Sequence, residues 1–142
     1  MNNFNTVPAP SRRLSRSELK VMLVDDDVFQ LELISEILRS LGISNVTQAS
    51  SGEQALKILG SKQQSFDLLL LDLHMPTMDG FVFMEAVARG IYSGALIIVS
   101  GQSEVVMQAA SLVARLSQFS LLGSLQKPFR KDALATLIAK LA

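Results

Sequence analysis

Residues 66–80 read FDLLLLDLHMPTMDG, and this stretch decides the fold. Four leucines, Leu68 to Leu71, run unbroken into Asp72, after which Leu73, His74 and Met75 lead to Pro76 and an Asp79-Gly80 turn. A short, uniformly apolar run bounded by turn residues is the pattern of a strand buried on both faces, as in the middle of a parallel sheet. Pro76 and Gly80 end that run and open a loop. Asp72 then stands where a buried strand leaves the sheet, the edge at which open α/β sheets bind ligands. A carboxylate there is costly unless something neutralises it.

Outward from this strand the chain alternates. Upstream, the apolar run Val21–Val24 enters Asp25, Asp26 and Asp27, and Leu31, Ile34, Leu38 and Leu41 then recur at helical spacing up to Gly42. A weaker strand spans 45–49, and Ser51 with Gln54 forms a capping box that opens a helix to Gly60. Downstream, a helix is expected over about 80–88. The run ALIIV (95–99) is a further apolar strand ending at Ser100-Gly101. Val105, Val106, Ala109, Ala110, Val113 and Leu116 mark a fourth helix. A fifth strand near 121–125 leads to Lys127-Pro128-Phe129, and Leu134, Leu137, Ile138 and Leu141 give the last helix its apolar face. Five β-α units joined by right-handed crossovers predict an α/β fold, a doubly wound parallel five-stranded sheet with helices on both faces. Residues 1–19, with two prolines and few apolar residues, read as a flexible arm ahead of a domain over 20–142.

Composition removes several function classes. Lys and Arg number 13 and so do Asp and Glu, so no bulk positive charge favours nucleic acid. The absence of cysteine excludes disulfides, thiolate metal sites and cysteine nucleophiles. No apolar stretch reaches membrane-spanning length, and Arg12, Arg13 and Arg16 are not followed by the hydrophobic segment of a signal peptide. A cytoplasmic protein is the default expectation.

The predicted topology brings the ends of strands one, three, four and five to one edge, with Asp25/Asp26, Asp72, Ser100 and Lys127. Taken singly, a strand-end Asp is a turn former or helix cap, Ser100 a loop residue and Lys127 a surface lysine. Together they have a chemistry. Clustered carboxylates raise one another's pKa unless a cation intervenes, and hard oxygen ligands without His or Cys partners favour Mg²⁺. A carboxylate, a divalent cation, a lysine and a hydroxyl are the parts of a phosphoryl-transfer centre. Asp72 would attack phosphorus, Lys127 would neutralise the equatorial oxygens, and Ser100 would hydrogen-bond one of them.

The chain resembles the receiver (CheY-like) domains of two-component response regulators from about Lys20 to Ala142. The matching stretches are VMLVDDD (21–27), ASSGEQALKIL (49–59), DLLLLDLHMPTMDG (67–80), ALIIVSG (95–101) and LQKPF (125–129). The resemblance implies a flavodoxin-like three-layer fold and a phosphorelay switch, with Asp72 accepting a phosphoryl group from a sensor histidine kinase or phosphotransfer protein. It implies Mg²⁺ held by Asp26 directly, by Asp25 mainly through water, and by Asp72 and the backbone carbonyl of His74. Lys127 would pair with the phosphoryl group, ahead of a cis Lys127-Pro128 bond. Ser100 takes the place of the switch hydroxyl. His74 and Gln102 would flank the phosphoryl group from solvent and tune its lifetime. No enzyme activity is implied beyond self-catalysed transfer to Asp72 and autodephosphorylation. Output would pass to an attached domain or partner, or to a homodimer, through the fourth helix, fifth strand and fifth helix.

Two departures concern that output. The aromatic that many receivers carry three residues before the lysine is Ser124 here, with Phe119 the nearest ring upstream. The 27 positions from Ser100 to Lys127 exceed the usual spacing by roughly one to one and a half helical turns. The extra length falls in SLVARLSQFSLLGSLQKPF, in the fourth helix or its exit, and together with VDDDVFQLELI resembles receivers joined to an EAL-type cyclic-di-GMP phosphodiesterase domain. Three other readings fit less well. A haloacid-dehalogenase-type phosphatase needs a second Asp two residues after the nucleophile, where His74 stands. A nucleotide-binding α/β protein needs a glycine-rich loop after strand one, where the acids are. A phosphorylation-independent pseudo-receiver would not need the full site set.

Overall fold

The computed structural model describes residues 14–61, 63–92 and 94–142. Its elements are β1 (Lys20–Val24), α1 (Val28–Ser40), β2 (Asn45–Ala49), α2 (Gly52–Gly60), β3 (Leu68–Leu71), α3 (Gly80–Val87), β4 (Ala95–Ser100), α4 (Glu104–Leu116), β5 (Ser120–Gln126) and α5 (Lys131–Ile138). All strand pairs are parallel, in the order β2-β1-β3-β4-β5. This is the doubly wound sheet that the alternation predicts.

The leucines of β3 show why it is central. Successive side chains of a strand point to opposite faces. Leu69 and Leu71 therefore join one apolar cluster, with Met22, Val24, Ile98, Phe83, Met107 and Ala110. Leu68 and Leu70 join the other, with Val21, Leu23, Ile97, Leu31, Leu38 and Leu134. α2, α3 and α4 cover the first face, and α1 and α5 the second. All four leucines are buried, so neither face tolerates a polar residue until the strand ends at Asp72.

Local chemistry fixes the helix starts. Asp27 caps α1 by accepting from the Phe29 and Gln30 amides. Asp79 caps α3 through Val82 N–H and Ser103 caps α4 through Val106 N–H. Gly42, at φ +90°, closes α1 where a side chain would be strained. The capping box of α2 has an altered second arm. Ser51 Oγ accepts from the Gln54 amide, but Gln54 Oε1 accepts from Ser50 N–H at 2.7 Å.

Of the stretch expected to be an arm, residues 1–13 lie outside the described residues. Residues 14–19 form a turn against the domain. Leu19 is fully buried, Leu14 packs on the α1/α5 side, and Arg16 Nη1 donates to the Leu41 carbonyl at the end of α1. That bond satisfies one of the carbonyls a helix end leaves open.

Between Ser100 and Lys127 the chain forms the 13-residue α4 and then β5. β5 has seven residues and a bulge: Leu96 pairs with Leu121 but Ile97 with Gly123, so Leu122 is the inserted residue. A Cβ on Gly123 would stand 2.7 Å from Leu137 Cδ2, so α5 fills the place of the missing side chain.

Candidate functional site

The sheet register itself gathers the site. Each strand's ladder runs one residue past its end: Asp25 N–H donates to Ala49 O, Asp72 N–H to Val24 O, and Lys127 N–H to Ser100 O. These bonds hold the backbones of Asp25, Asp72 and Lys127 beside neighbouring strand ends. The carboxylates of Asp25, Asp26 and Asp72 have oxygens within 4.8 Å of one another. They face a cavity of about 430 Å³, walled also by His74, Gln102 and Lys127.

Asp25 and Asp72 are buried and Asp26 is exposed. Lys127 supplies the compensating charge. Its Nζ lies 2.7 Å from Asp25 Oδ2 and 3.6 Å from Asp72 Oδ2, so the lysine's tighter partner is Asp25. Backbone donors complete the arrangement, Asp27 N–H to Asp25 Oδ1 at 2.9 Å and His74 N–H to Asp72 Oδ1 at 3.2 Å. Burial pushes the Asp72 carboxyl above its ordinary value of 3.8. The His74 amide and the Lys127 charge oppose the rise, the Asp25 charge adds to it, and the Ser100 hydroxyl opposes it.

The sequence-predicted residues therefore come together, with differences in role. Ser100 is fully buried and is not part of the cavity wall; its hydroxyl accepts the Gln102 amide at 3.3 Å, behind Asp72. His74 presents an exposed side chain at the cavity, as does half-buried Gln102 on the opposite loop. Lys127-Pro128 is cis. Ser124 is exposed on edge strand β5, opposite Ile98, so no ring stands where many receivers have one. Phe119 does not replace it: it packs on Tyr92, ring centroids 6.4 Å apart, just before the Ser120–Ala95 pair at the other end of the strands. Gln30 and Gly101 also line the cavity and were not singled out from the sequence. The signal for Gln30 was its place in the first turn of the helix that follows the acid triplet.

The donor set fits a hard divalent cation. Three carboxylates converge with no nitrogen or sulfur ligand among them, beside a cavity large enough to keep several waters on the ion. The same pocket presents a carboxylate nucleophile next to an ammonium, the requirement for forming an acyl phosphate.

Comparison with known proteins agrees with this geometry. The family model "Response regulator receiver domain" matches residues 21–139. The chain is 34% identical over 123 residues to the probable chemotaxis protein CheY of Rhizobium etli, covering 85% of this chain and 90% of that protein. It is 34% identical over 91 residues to the two-component response regulator ORR22 of Oryza sativa subsp. indica, 63% of this chain but 13% of that longer protein. Among solved structures, the response regulator TrrA of Thermotoga maritima, in complex with Mg²⁺-BeF, matches with a TM-score of 0.72 and 26% identity, over 87% of this chain and 99% of that one. With the family model spanning residues 21–139 and the CheY relative covered over 90% of its length, the chain belongs to the response regulator receiver domains, the CheY-like phosphoacceptor switches of two-component systems.

Proposed function

We propose that Asp72 is the phosphoacceptor of this receiver and that a histidine kinase or phosphotransfer protein supplies the phosphoryl group. The observation that carries this reading is Lys127 Nζ standing between Asp25 and Asp72 at the floor of the acidic cavity. An Asp72 carboxylate oxygen forms a bond to phosphorus as the P–N bond to the donor imidazole breaks, and the imidazole keeps the electron pair and takes up a proton. Lys127 balances charge on the transferring oxygens, and the Ser100 hydroxyl, buried outside the cavity wall before transfer, turns to hydrogen-bond one of them. Asp25, Asp26, Asp72 and the His74 carbonyl would hold Mg²⁺, which supplies further positive charge to those oxygens when bound. His74 and Gln102 stand on the solvent side, where they control the access of water and so the rate of autodephosphorylation.

The donor's approach is supported by α1, which leaves Val28, Phe29 and Leu33 exposed beside the site. A groove of about 300 Å³ between Leu33, Ile37 and the Lys127–Phe129 segment continues that apolar face. Output is assigned to the α4–β5–α5 face, by dimerisation or by docking of an attached domain. An EAL-type domain is the finer reading and rests on the sequence pattern alone. Such a role places the chain in the cytoplasm; among the described residues, no helix is long and apolar enough to cross a membrane.

The test is incubation with a small phosphodonor or a cognate kinase and Mg²⁺, followed by intact-mass measurement. Wild type is expected to gain one phosphoryl group and Asp72→Asn none. A wild type that stays unmodified with every donor rejects the switch, and a gain that persists in Asp72→Asn rejects the residue.

A further inference from the structure

Two stretches singled out in the sequence, around Gly52 and around Met78, meet in space. The loop from β3 to α3 carries the His74 amide and carbonyl at its start and rests on the first turn of α2 at its end. Met78 covers Gly52 so closely that a Cβ built there would lie 2.8 Å from Met78 Sδ, 3.2 Å from its Cγ and 3.3 Å from its Cβ. Three successive side-chain atoms of Met78 border the space that glycine leaves, so turning its terminal methyl alone would not admit an added methyl. Beside it, Thr77 Oγ1 donates to Glu53 Oε1 at 3.1 Å. Met75 is buried in the same apolar cluster that Met78 flanks. Among the described residues, the main-chain hydrogen bonds of 74–79 lie at its two ends, His74 N–H to Asp72 Oδ1 and Phe83 N–H to Asp79 O, with Gly80 N–H on Leu73 O just beyond.

We infer that Gly52 and Met78 are positioning residues: their contact sets the β3–α3 loop on α2 and thereby the aim of the His74 backbone at the acid cluster. The inference rests on the proposed Mg²⁺ site and adds a dependence on α2, an element that contributes no group to the cavity. Core packing transmits such a displacement because close-packed side chains leave little space to absorb it.

The experiment compares Mg²⁺ affinity by calorimetry with amide exchange at His74 in metal-free protein, for wild type, Gly52→Ala, Met78→Ala and the double variant. Gly52→Ala is expected to weaken Mg²⁺ binding about tenfold, as loss of outer-shell support does, and to speed His74 exchange. In the Met78→Ala background the same Gly52→Ala change should have much less effect, because the two closest atoms, Sδ and Cγ, are gone and only Cβ remains. Gly60→Ala, in the same helix and with no atom within 4 Å of the added methyl, should leave both readouts at wild-type values. Equal Gly52→Ala effects in the two backgrounds, or none in either, overturn the inference. If Gly52→Ala does not fold, Met78→Ala alone decides, since unchanged affinity and exchange in it would overturn the inference. Wild type that binds no Mg²⁺ would remove the magnesium site instead, and His74 exchange across the same variants then decides the positioning role.

Discussion

Asp72 is held against the preference of its surroundings. Its carboxyl is raised above 3.8 mainly by burial, so the folded chain binds this proton more tightly than the unfolded chain does. The sign follows directly: the stability tied to that proton is fully present below the unfolded value and is lost as pH rises through the folded one. Without metal, ionisation of Asp72 in the folded chain is therefore a net cost. Asp72→Asn should accordingly unfold at higher urea than wild type at pH 7 in chelator, and its advantage should shrink as pH is lowered toward 3.8. A pH-independent difference in midpoint between the two proteins would show that burial of this charge is not the cause. Lys127 limits the cost without removing it, since its closer contact is to Asp25.

At the scale of elements, α4 divides its residues sharply. Met107, Ala110 and Ala114 are buried, whereas Val105, Leu112 and Leu116 are 76%, 56% and 75% exposed. Large apolar side chains at this spacing form one solvent-facing stripe. Glu104 lies in its first turn and Arg115 in its last, so two copies packed antiparallel would set opposite charges side by side. If this face serves the proposed dimer, light scattering should show the mass double when beryllofluoride and Mg²⁺ are added, and Leu112→Glu should stay monomeric. A wild type that is monomeric in both conditions would remove the homodimer. The elements also show what a sequence can carry. Leu68–Leu71 and Ala95–Val99 were legible because a run buried on both faces needs no partner to be recognised, and Asp72 and Ser100 each follow such a run. The β5 bulge was not legible, because it shows only in the register of β5 against β4, and the packing of Leu137 of α5 beside Gly123 likewise shows only in the folded chain. Nor was the closer pairing of Lys127 with Asp25, which is a matter of ångströms between residues 102 positions apart.

Across the whole molecule, the topology concentrates acid at one edge of a chain whose net charge is zero. Strand order β2-β1-β3-β4-β5 sets Asp25 beside Asp72 and brings one lysine to three carboxylates. The metal-free fold carries this imbalance as a cost that a divalent cation would relieve, and a ligand that binds only the folded chain stabilises it by mass action. At a hundredfold excess over its dissociation constant the gain is about 2.7 kcal/mol. For a domain of 142 residues each kcal/mol moves the melting temperature by about 3 °C, so saturating Mg²⁺ should raise it by about 8 °C over chelator. Asp26 separates this effect from general screening, because it is the exposed member of the cluster and Lys127 pairs with the other two. Asp26→Asn should therefore melt close to wild type in chelator and lose most of the rise in Mg²⁺. Equal rises in both proteins would mean that the ion acts on the charged surface as a whole and not at the strand ends.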